Sequence, residues 1–64
     1  MSAKPHTKKV FREDIRIARL LTERLRRELA TGNWEMIESL ARDLEGFGSL
    51  IACNAQENYE QESQ

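Results

Sequence analysis

The chain of 64 residues holds one histidine, His6, and one cysteine, Cys53. An imidazole and a thiol are the side chains best suited to base and nucleophile work near neutral pH, and both bind transition metals. A structural zinc site takes four such ligands, so one of each cannot build it, and a lone cysteine excludes an internal disulfide. His6 lies in a polar, proline-containing start, and no base or orienting acid is expected beside it. Cys53 has no histidine or basic residue placed to activate it. The acids Glu35, Glu38, Asp43 and Glu45 read as a solvated helix face rather than a carboxylate pair. Gly46-Phe47-Gly48 follows no strand and sits inside an apolar heptad, so it does not read as a phosphate loop. No catalytic residue, cofactor site or metal site is expected, and the chain is not expected to be an enzyme.

The other chemistry on offer is cationic. Arg12, Arg16, Arg19, Arg26 and Arg27 spread along one segment, continuous with Lys8 and Lys9, and such a stripe could neutralise phosphates. Glu13 and Glu23 interrupt it, and no aromatic platform accompanies it. The formal net charge of −1 hides a division. Residues 1–30 carry nine basic and four acidic residues, whereas residues 31–64 carry one and seven. Oppositely charged halves favour each other. These arginines are therefore expected to form a solvated face, or to meet the acidic half of a partner chain. Contact with nucleic acid is the alternative.

Two helices must position these groups. From Val10 onward the apolar residues Val10, Phe11, Ala18, Leu21, Leu25 and Leu29 fall on one helical stripe. No Gly or Pro interrupts residues 6–31, which predicts a helix over about 9–30. Thr31-Gly32-Asn33 breaks the pattern. Gly32 suits a left-handed helix end, and Asn33 suits the cap of the next helix. A connection this short turns the second helix, predicted over about 34–58, back along the first. Residues 1–7 read as a disordered basic arm, residues 8–59 as a helical hairpin and residues 60–64 as a disordered tail.

Ile37, Leu40, Leu44, Phe47, Ile51, Asn54 and Asn58 alternate by threes and fours, the a/d seam of a lengthwise helix pair. The spacing runs through Gly46 and Gly48 without a phase shift, which predicts one helix, bent there at most. Facing residues lie equally far from the turn, which sets Leu25 opposite Leu40, Leu21 opposite Leu44 and Ala18 opposite Phe47. The hairpin core is thus expected to comprise Phe11, Ala18, Leu21, Leu25, Leu29, Ile37, Leu40, Leu44, Phe47 and Ile51. Asp14 and Asn54 are expected near the seam's far end. A second line, Trp34, Ala41, Gly48 and Ala55 with Ala52 beside it, is mostly small. Trp34 is also expected to cover the loop end of the core.

So short a chain is a marginal scaffold on its own. The small-residue line is the expected contact of a homodimer, making a four-helix bundle of two hairpins. No apolar stretch is long enough for a membrane, and no apolar run of secretory type follows the basic start. Together with the unpaired cysteine, this predicts a cytoplasmic location.

In its hairpin length and expected pairing, the chain resembles the Rop-like regulators of plasmid copy number. More broadly, it resembles the small helical accessory proteins of lambdoid phages. The first resemblance implies a dimeric four-helix bundle that binds RNA through its first helix. The second implies a regulator acting in the host cytoplasm through contacts with an unidentified protein. Neither carries a functional residue across to this chain.

Overall fold

The computed structural model describes residues 5–63. Two helices, α1 (Lys8–Thr31) and α2 (Trp34–Ser63), lie against one another as an all-α hairpin. Its extents are 51 × 16 × 11 Å. The radius of gyration, 15.1 Å, exceeds the ~11 Å of a compact chain of this length.

The ends of α1 follow from local chemistry. Thr7 stands before it in extended backbone, and its carbonyl accepts from the Val10 and Phe11 amides. The Thr7 side chain makes no cap bond. At the other end Gly32 adopts φ +70°, the left-handed conformation that costs a Cβ-bearing residue most. The Gly32 amide donates to the Leu29 carbonyl at 3.2 Å and the Asn33 amide to the Glu28 carbonyl at 3.2 Å. These bonds satisfy carbonyls that the helix end would leave open. Asn33 then caps α2, its Oδ1 accepting from the Met36 amide at 3.3 Å.

The helix continues unbroken through Gly46 and Gly48. Beyond residue 59 it differs from expectation, since Glu60–Ser63 are helical rather than a disordered tail. No Gly or Pro stops the helix there, Gln56 donates to Glu60 at 3.1 Å, and Gln61 falls on the seam, half-buried. Residues 1–4 of the expected arm, and Gln64, lie outside the described residues.

The seam reads directly from burial. Phe11, Asp14, Ala18, Leu21, Leu25 and Glu28 are half-buried on α1. Ile37, Leu40, Leu44, Phe47, Ile51 and Asn58 are half-buried on α2. Leu29, expected in the hairpin core, is instead 61% exposed, and Glu28 occupies the seam position after Leu25. The step from Leu25 to the seam is three residues here, so Leu29 is carried past it onto the flank. Trp34 does not cover the loop end of the core either, being 67% exposed. Among the described residues only Asn54 is buried, at 8% exposure, and no apolar side chain is enclosed.

Candidate interaction surface

Two helices side by side form one layer with two faces. In an antiparallel pair, the e positions of both helices flank one side of the a/d seam and the g positions the other. With the seam as observed, Ile15, Thr22 and Leu29 of α1 share the e face with Trp34, Ala41, Gly48 and Ala55 of α2. All seven are exposed. Ala52 lies one step further round, exposed on the same side. A Cβ built on Gly48 meets nothing within 4 Å. The five residues expected to contact a second copy (Trp34, Ala41, Gly48, Ala52 and Ala55) are thus brought to a single face. The spacing of small residues on α2 did not disclose that Ile15 and Leu29 border them.

The opposite face carries Val10, Ile17, Leu20 and Leu50, all exposed. A shallow groove of about 340 Å³ opens there, lined by Leu21, Arg42, Asp43, Gly46, Phe47 and Leu50. Apolar side chains therefore reach solvent on both sides of the layer.

The five arginines do not form one stripe. Arg12, Arg19 and Arg26 repeat every seven residues along the outer edge of the small-residue face, whereas Arg16 and Arg27 lie further round α1. All five are exposed. Among the described residues no ion pair involves any of them. The pairs that form are Arg24–Glu28 at 3.0 Å and Arg42–Glu38 at 3.6 Å.

His6 departs from the sequence expectation. It is half-buried against α2, and its ring stands edge-on to Phe11 with centroids 6.5 Å apart. Its Nε2 meets Glu57 Oε2, while the Cys53 thiol donates to Glu57 Oε1 at 3.7 Å. The His6 hydrogen bond is the main influence holding the Glu57 carboxyl below its ordinary range. Desolvation opposes it, and the charge of His6 and the Cys53 thiol add to it. The order of these three groups matters chemically. A nucleophile relay needs the imidazole against the thiol with the acid behind it. Here the carboxylate stands between them, so the imidazole cannot take the thiol proton directly. Among the described residues no group of three His, Cys, Asp or Glu could hold a metal ion. None of the described helices is long and apolar enough to cross a membrane.

Comparisons with protein-family models, curated proteins and solved structures give no match to this chain.

Proposed function

We propose that this chain is a non-enzymatic helical interaction module that works as a homodimer in the cytoplasm and regulates another protein by contact. The observation that carries this reading is the hairpin's failure to enclose a single apolar side chain among its described residues. Its accessible surface is 5387 Å², against about 4,200 Å² for a compact chain of its mass. The excess, about 1,200 Å², is of the order of one partner's share in a standard interface, about 800 Å². Two apolar faces give the module two uses. The small-residue face suits a second copy, and the grooved face suits a different helical partner. This is the kind of role that the likeness to phage and plasmid regulators implies.

Sedimentation equilibrium at micromolar concentration tests the reading. The expected mass is twice 7.5 kDa. A well-folded monomer at that concentration refutes it.

A second reading draws support from the line of Arg12, Arg19 and Arg26, exposed and evenly spaced. It makes the hairpin an RNA- or DNA-binding module whose affinity falls steeply with salt. Absence of a shifted band with mixed RNA and DNA at low salt removes it.

A further inference from the structure

We infer that the second copy docks on the small-residue face with the two-fold axis parallel to the helices, so that both turns lie at the same end. The inference rests on the self-association proposed above and specifies its geometry. Two face-to-face arrangements are open to a pair of hairpins. An axis along the helices stacks α1 of one copy on α2 of the other. An axis across them stacks α1 on α1 and α2 on α2, with the turns at opposite ends.

Register decides between them. His6 and Asn58 bond one another at the far end of the hairpin, and each lies 26 residues from Gly32. Residues equally distant from Gly32 are therefore level along the layer. Arg26 and Glu38 are each six residues from Gly32, and Arg19 and Glu45 are each 13. All four stand at the outer edges of the small-residue face, arginines on α1 and glutamates on α2. Within one hairpin they lie on opposite edges. Rotation about an axis along the helices preserves level and exchanges edges. Arg26 then meets Glu38 of the partner subunit, and Arg19 meets Glu45 of the partner subunit, twice over by symmetry. Rotation about the transverse axis instead sets arginine line against arginine line and glutamate line against glutamate line.

The apolar residues agree. Stacking α1 on the partner's α2 brings the exposed Ile15 to the level of Gly48 of the partner subunit, where a missing side chain leaves room. It also brings Leu29 to the level of Trp34 of the partner subunit. The two side chains that stand 61% and 67% exposed in the single hairpin thus cover one another. Large against small and apolar against apolar is what a packed layer requires.

The test places a spin label at Ala30→Cys, beside the turn, in a Cys53→Ser background, and reads the dipolar distance in the dimer. Turns at the same end give a separation of roughly 30 Å, set by two helix spacings and the label arms. Turns at opposite ends put the labels most of the hairpin's 51 Å length apart. That result overturns the geometry and leaves self-association standing. A monomeric mass with no dipolar signal overturns both. A second measurement uses charge. Arg19→Glu with Arg26→Glu should weaken self-association about tenfold, as expected for several exposed pairs, with helicity retained. Adding Glu38→Arg and Glu45→Arg should restore it. Unchanged association in the double variant overturns the pairing.

Discussion

The His6 amide donates to Asn58 Oδ1 at 3.1 Å, and Asn58 Nδ2 donates back to the His6 carbonyl at 3.0 Å. One amide side chain on the last part of α2 thereby closes a backbone clasp on the segment leading into α1. Asparagine is suited to this because it presents a donor and an acceptor side by side.

Replacing that side chain tests the clasp. Asn58→Ala removes both part-buried bonds and should lower stability by about 1–2 kcal/mol. Urea titration gives the magnitude. Hydrogen exchange at the His6 amide should rise sharply, while the amides around Gly32 keep their protection. Equal loss of protection at both ends would show that the clasp is not local.

Acid should loosen the same end. In the folded chain the Glu57 carboxyl is held below its ordinary range, chiefly by the His6 hydrogen bond. A lowered carboxylate value contributes stability that is fully present above the ordinary one, about 4.3. That contribution is lost as pH falls from there through the folded value. Carbon-detected titration of Glu57 should show the depression, and His6→Ala should return it toward the ordinary value. No change on removing His6 would sink this assignment.

The two glycines inside α2 should separate hairpin stability from assembly. A Cβ on either Gly46 or Gly48 meets nothing within 4 Å in the single hairpin. Gly46→Ala, away from the small-residue face, should stabilise the helix by about 1 kcal/mol. Its melting temperature should rise at every protein concentration. Gly48→Leu fills the place proposed for Ile15 of the partner subunit, and the concentration dependence of melting should disappear. Persistence of that dependence in Gly48→Leu argues against this face.

Gly32→Ala should destabilise by about 1 kcal/mol, because φ +70° disfavours a Cβ although nothing crowds it. A thermal melt that matches the parent would mean the turn relaxes to another conformation.

Much of this fold was legible from the residues. Gly32 and Asn33 carry turn chemistry that hardly any other pair supplies, so the connection and the antiparallel return follow from them. The threes and fours from Ile37 to Asn58 passed through Gly46 and Gly48 without slipping, and the helix does the same. What could not be read was decided by competition between near-equal positions. Leu29 is apolar and Glu28 is charged, yet the three-residue step after Leu25 gives the seam to Glu28. Hydropathy cannot see that choice, because it depends on the phase set by the facing helix. The α2 terminus was hidden because polar residues such as Gln56 and Glu60 signal a tail by composition while bonding one another as helix neighbours. The His6 contact joins residues 52 positions apart, beyond any local pattern. The polar end of the seam at Asn54 and Asn58 was its one available sign.

That no apolar side chain among the described residues is enclosed has a bearing on how long the molecule survives. A hairpin that shields so little on its own opens readily, and proteases act on the open form in proportion to its population. The self-association proposed above would withdraw chains from that population by mass action, so protection would grow with abundance. Degradation would then be slow while expression is high and accelerate once it drops. Turnover of this kind would clear the protein more abruptly than first-order decay.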